Sequence, residues 1–184
     1  MNMGAITQSL LSFEEFERLP DTPGKRELLK GELIELPPPE FRHTAIAHRI
    51  YKRLDVALNE AHVRGEAAEL GVPYIEMGYK LSGDGFVRPD VSVAFTADEP
   101  EKYIEGSPAI AVEVISPSNT VEEMDLKTKL YFDNGALEVW LIHRKARFIT
   151  VHVPGQTREI GENDTLTTTL LPGFQFPVRE ILGR

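Results

Sequence analysis

A single carboxylate, Glu113, interrupts the apolar and largely β-branched run Ile110-Ala111-Val112-Glu113-Val114-Ile115. On length and composition this run is a buried strand. A charge in such a strand is tolerated only when it is paired, neutralised or bound to a metal, because its desolvation is otherwise prohibitive. The chain must therefore bring a cation to Glu113, and two sources are open: a metal ion or Lys127.

Ser116-Pro117-Ser118-Asn119 is turn chemistry, and Thr120-Val121-Glu122-Glu123 fits a capping box that starts a helix. Gly135 is its expected stop. Met124, Lys127, Thr128 and Tyr131 fall at i, i+3, i+4 and i+7, so the lysine shares a largely buried stripe. Lys127 then either aims its ammonium at the sheet or snorkels, packing its stem and sending its head to water.

Upstream, Val87-Arg88-Pro89-Asp90-Val91-Ser92-Val93-Ala94-Phe95 sets Asp90 at the start of a second apolar strand. Two carboxylates on adjacent strands with a lysine make a divalent-metal site for phosphodiester hydrolysis: hard oxygens hold Mg²⁺ and the lysine orients or activates water.

The order Pro89-Asp90, Glu113, lysine resembles the PD-(D/E)XK nuclease superfamily, with one departure. The lysine that usually follows the acid by two residues on the same strand is replaced by Ile115. A longer pattern accounts for this. Ala111 to Thr120, with Glu123-Met124, Lys127, Leu130-Tyr131-Phe132 and Gly135 to Leu141, resembles the Uma-type restriction endonuclease family, a branch of that superfamily that carries its lysine on the helix. Arg26 to Leu33, His43 and Leu171-Pro172-Gly173-Phe174 extend the resemblance over nearly the whole chain. It implies an α/β, restriction endonuclease-like fold, a mixed curved sheet flanked by helices. It also implies metal-dependent cleavage of nucleic acid, DNA before RNA, with Mg²⁺ or Mn²⁺ on Asp90 and Glu113 and the Val114 carbonyl as a further ligand. Lys127 would position the attacking water, His43 would touch the scissile phosphate or a metal-bound water, and Ser116 and Asn119 would shape the rim.

At 184 residues the chain is expected to be one domain, residues 11–184, after a partly ordered tail, residues 1–10. It has no cysteine, no secretory leader pattern and no apolar run long enough to span a membrane, so a cytoplasmic protein is expected. The net charge of −9 opposes DNA binding at long range, which makes the distribution of basic residues decisive. Pro37-Pro38-Pro39 leads to a helix expected from His43 to His62, with Ile46, Ala47, Ile50, Leu54, Ala57, Leu58 and Ala61 as its apolar stripe. Its first half holds Arg42, Arg49, Lys52 and Arg53 with no acid before Asp55. Arg42, Arg49 and Arg53 are the candidate phosphate contacts, and a merely solvated face would look the same. His43 begins the inward face and His48 points to solvent.

Glu27 to Lys30 and Glu32 to Leu36 read as short strands about Gly31, with Glu27 expected to be exposed rather than a third acid. Residues 65–70, 73–81, 138–142, 147–153 and 157–160 read as further strands. Residues 170–182 suit a segment packed across the sheet. Two other classes of function stay open, a nuclease-like fold that only binds nucleic acid or protein, and a metal hydrolase of a small phosphoester. Cutting both strands of a duplex needs two sites, which favours a homodimer.

Overall fold

The computed structural model of the chain describes residues 10–96 and 100–183. The expected tail falls outside these residues except for Leu10, which is exposed. In chain order the elements begin with α1 (Phe13–Glu17), β1 (Lys25–Leu29), β2 (Glu32–Leu36), α2 (Phe41–Val63), β3 (Leu70–Ile75) and β4 (Tyr79–Leu81). They continue with β5 (Gly85–Val87), β6 (Val91–Phe95), β7 (Ile104–Glu105), β8 (Ile110–Val114), α3 (Val121–Asp133) and β9 (Glu138–His143). The last are β10 (Phe148–Val153), β11 (Gln156–Gly161), β12 (Thr165–Thr167), β13 (Gln175–Pro177) and α4 (Val178–Leu182).

The strands form a six-stranded sheet in the order β11-β10-β9-β8-β6-β3, a five-stranded sheet in the order β2-β1-β5-β4-β7, and the β12-β13 pair. β8 runs parallel to β9 and antiparallel to β6. Every residue of β8 is buried because both of its faces are covered. Ile110, Val112 and Val114 pack in the core beneath α2, while Ala111 belongs to the core beneath α3. Alternation along the strand therefore turns Glu113 toward α3. The α2 stripe is buried as the periodicity predicts, at Ile46, Ala47, Ile50, Leu54, Leu58 and Ala61. Residues 170–182 do cross over this layer, and Leu171, Phe174, Phe176, Val178, Ile181 and Leu182 join the same core.

Two expected strands are displaced. Residues 65–70 are mainly a turn leaving α2, with Gly65 at φ +72° and Ala67 at φ +55°, so β3 starts at Leu70. The expected strand 73–81 is broken at Glu76, φ +51°, into β3 and β4, which belong to different sheets. No helix among the described residues is long and apolar enough to cross a membrane.

The helix carrying Lys127 is fixed at both ends. The Thr120 hydroxyl accepts from the Glu123 N–H at 3.1 Å. At the other end Gly135, φ +102°, lets its own N–H reach the Phe132 carbonyl and the Ala136 N–H reach that of Tyr131, which closes the last turn. A Cβ on Gly135 would meet nothing within 4 Å, so Gly135→Ala tests backbone strain alone. It is expected to cost about 1–2 kcal/mol in urea unfolding. An unchanged midpoint would mean that α3 does not depend on this stop.

Candidate active site

Asp90 is the last residue before β6, at the point where the chain leaves the five-stranded sheet through Arg88-Pro89 and enters the six-stranded one. The antiparallel register that pairs Val91 with Val112 brings Asp90, one residue earlier, alongside Glu113. The Val114 N–H donates to Asp90 Oδ2 at 2.7 Å, and His43, in the first turn of α2, places Nε2 at 3.1 Å from the same oxygen. Both acids are almost fully buried at the floor of a cleft of roughly 260 Å³ that His43, Ser116, Asn119 and Lys127 also line.

Lys127 does not snorkel. It is 2 % exposed, and its Nζ lies 2.8 Å from Glu113 Oε1 and 2.8 Å from both carboxylate oxygens of Glu27. The Tyr131 hydroxyl, one helical turn further on, donates to Glu113 Oε1 at 2.6 Å. Ile115 packs into the core beneath α3, so the strand position of the usual lysine is apolar and the helix supplies the ammonium.

Glu27 corrects the expectation of an exposed strand residue: its exposure is 0 %. β1 lies between β2 and β5, and Lys25, Glu27 and Leu29 alternate onto the face that packs toward α3. Glu27 also accepts from the Arg88 N–H at 2.8 Å. Sequence reasoning missed Lys25 altogether. Its Nζ donates to Asp90 Oδ1 at 3.0 Å and to the Arg88 carbonyl at 2.9 Å, and it lies 3.8 Å from Glu27. The signal available was its place two residues before Glu27, hence on the same strand face.

Burial and pairing pull against each other in this cluster. Burial pushes the Asp90 carboxyl up, but Lys25, His43 and the Val114 N–H outweigh it and hold the group well below the usual carboxylate range. Burial prevails at Glu113, whose pKa is raised despite Lys127 and Lys25, with Asp90 and Glu27 adding to the rise. Burial would lower both lysines, yet the surrounding carboxylates raise Lys25 and Lys127 above the ordinary lysine value. Burial and then the neighbouring Glu113 and Glu27 raise Tyr131, which stays a hydrogen-bond donor.

Among the described residues no group of three or more Asp, Glu, His or Cys side chains is arranged to hold a metal ion. The donor chemistry nonetheless fits an ion of the Mg²⁺ type, which takes one or two carboxylates and keeps several waters. Glu113 Oε1 takes Lys127 and Tyr131, leaving Oε2 for a ligand in the cleft that Glu113 lines. Asp90 is available to an ion once the Lys25 ammonium gives up Oδ1.

The other residues singled out by sequence separate. Ser116 and Asn119 shape the turn at the rim, where Asn119 Oδ1 accepts from the Ser116 N–H and hydroxyl, both at 2.9 Å. Arg42 is exposed on the first turn of α2. Arg49 donates to the Ile181 carbonyl at 3.1 Å and Arg53 to that of Gln175 at 2.8 Å, so both hold the C-terminal segment against α2.

Residues 13–179 match the Uma2 family, described as "Putative restriction endonuclease". The chain belongs to this family. A solved structure from Anabaena variabilis, titled as "a putative nuclease belonging to DUF820", is similar to it at 19% identity with a TM-score of 0.79, over 94% of this chain and 97% of that one. No curated protein matches.

Two stability predictions follow from the charges in the metal-free protein. Lys127→Met takes the nearest cation from the buried Glu27 and Glu113, and is expected to cost about 3–5 kcal/mol in urea unfolding. Adding Glu27→Gln should return part of that loss, and a double variant no more stable than the single one would refute the pairing. For pH, Asp90 has a folded pKa below its unfolded value. Its stabilisation is present above the ordinary 3.8 and is lost as pH falls toward the folded value. Glu113 has the opposite sign: its raised pKa makes the ionised form a cost at neutral pH that acidification relieves. At pH 7 Asp90→Asn should lower the melting temperature and Glu113→Gln should not, and the reverse order would overturn this assignment.

Proposed function

From membership of the Uma2 family and the acids at the floor of the cleft, we propose that the chain is a divalent-metal-dependent endonuclease that hydrolyses DNA phosphodiester bonds. The observation that carries this reading is the pairing of Asp90 and Glu113 side by side on adjacent strands, with the Lys127 ammonium 2.8 Å from Glu113. Asp90 and Glu113 would hold Mg²⁺ or Mn²⁺, which when bound supplies Lewis-acid charge and a water of lowered pKa. Lys127 fixes the Glu113 carboxylate and brings positive charge to the floor of the cleft, where negative charge builds up on a phosphate under attack. His43 orients Asp90 through Oδ2 and stands where it can meet a phosphate oxygen. Ser116 and Asn119 line the cleft and would border a bound strand, and Arg42 lies on the first turn of α2 with His43. Two copies of the chain would be needed to cut both strands.

A second reading, a nuclease-like fold that binds nucleic acid without cleaving it, draws on Lys25, whose ammonium already satisfies Asp90. The two readings, and the small-phosphoester hydrolase, separate on titration with Mg²⁺ and Mn²⁺ followed by incubation with supercoiled plasmid. An endonuclease takes up metal and nicks or linearises the plasmid, and Asp90→Asn abolishes both. Metal uptake without cleavage points to the small substrate, and no metal uptake to the binding module.

Lys25 gives a test that needs no turnover. Lys25→Met removes the resident ammonium from Asp90, so the metal-free variant should melt below the parent while Mn²⁺ raises its melting temperature more than it raises the parent's. An equal Mn²⁺ response in the two proteins would mean that Lys25 and the metal do not share Asp90.

A further inference from the structure

Arg144 directly follows β9, and its side chain lines the cleft with only 13% exposure. Its guanidinium donates to Glu40 Oε2 at 2.8 Å, and the Glu40 side chain, at the N-cap of α2, is 73% exposed. The asymmetry separates this pair from the others in the cleft. Lys25 and Lys127 are taken up by buried carboxylates that cannot leave, whereas among the described residues the Glu40 side chain is anchored by Arg144 alone. An ion pair with one member in open solvent is weak and readily exchanged. The guanidinium fork matches a phosphate as well as a carboxylate, and a phosphate offers it two oxygens at once.

We infer that Arg144 is a phosphate-binding residue of this cleft and that Glu40 is its internal competitor, a carboxylate lying on the guanidinium where a nucleic-acid backbone phosphate would lie and turning out to solvent when the strand enters. The inference rests on the endonuclease reading and deepens it by naming a substrate contact. Glu40 is suited to the part. Its carboxyl is held below the usual range by Arg144 first, with Lys145 and His43 contributing, so it stays charged and in place while the cleft is empty. Its departure also removes a negative charge from the path of a polyanion, which matters in a chain of net charge −9.

The experiment is binding of a short fluorescein-labelled DNA duplex, with and without Ca²⁺, read by anisotropy across a salt series. Arg144→Ala should weaken binding by about ten- to a hundredfold and flatten the log–log salt slope by roughly 0.7 to 0.9. Glu40→Gln should tighten binding severalfold. Both variants break the same ion pair, so a pair that served only to strut α2 against β9 would shift both in the same direction or neither, and either result overturns the inference. Should Arg144→Ala fail to fold, Glu40→Gln decides alone: binding no tighter than the parent's overturns it. A parent that binds duplex while both variants match it sinks this inference and leaves the endonuclease reading standing. A parent that binds no duplex under any of these conditions sinks both.

Discussion

The Lys127 ammonium stands 2.8 Å from carboxylate oxygens of Glu27 and of Glu113, and these two partners come from different sheets. The two buried carboxylates take their nearest positive charge from it, and the buried lysine takes its compensation from them. A helix, a strand of the five-stranded sheet and a strand of the six-stranded sheet are thereby tied at one point. Replacing such a triad with apolar groups of equal volume is often neutral or stabilising. Stability alone is therefore a weak reason for a charged cluster here, and the proposed metal site lies where the cluster meets the cleft.

The fold brings the charges together by crossing one sheet over to the other. The chain passes between sheets at Arg88-Pro89-Asp90, so Asp90 ends one layer and begins the next. The backbone of this crossing serves the site as well: the Arg88 N–H is bonded to Glu27 and its carbonyl to Lys25. α2 enters from the opposite face of the six-stranded sheet and contributes His43 from its first turn, the part of the helix that projects to the sheet's end. Five elements or their immediate ends thus supply Lys25, Glu27, His43, Asp90, Glu113 and Lys127, and none of them holds a functional cluster alone.

With a net charge of −9, an anionic substrate depends on where the positive charge is placed, and it is not spent evenly. Arg49 and Arg53, the most basic-looking stretch of α2, are engaged by carbonyls of the C-terminal segment. The cations that reach the cleft are Lys25, Lys127 and Arg144, from β1, α3 and the end of β9, and they stand there beside Glu40, Glu76, Asp90 and Glu113. Charge at the cleft is therefore set by packing, and a count along the chain does not reveal it.

The sequence by itself determined the local pieces: a β8 too apolar to hold Glu113 without a cation, a helix α3 with Lys127 on its buried stripe, and Asp90 at the head of a strand. Each rests on neighbours in the chain, through β-branched content, helical spacing and turn chemistry, which act over a few residues. What only the tertiary structure decided was which distant groups share those pieces. Glu27 looked exposed because burial of a strand residue depends on which sheet covers its face, and that cover comes from α3, 100 residues away along the chain. Lys25 offered only its place two residues before Glu27, and Arg144 no local pattern, since an ion pair formed across 65 or 104 residues leaves no spacing to read. The basic stripe of α2 kept its periodicity, and its Arg49 and Arg53 gained partners that no spacing foretold. Guanidinium groups bind the nearest unpaired oxygens, and only the path of the C-terminal segment placed backbone carbonyls there.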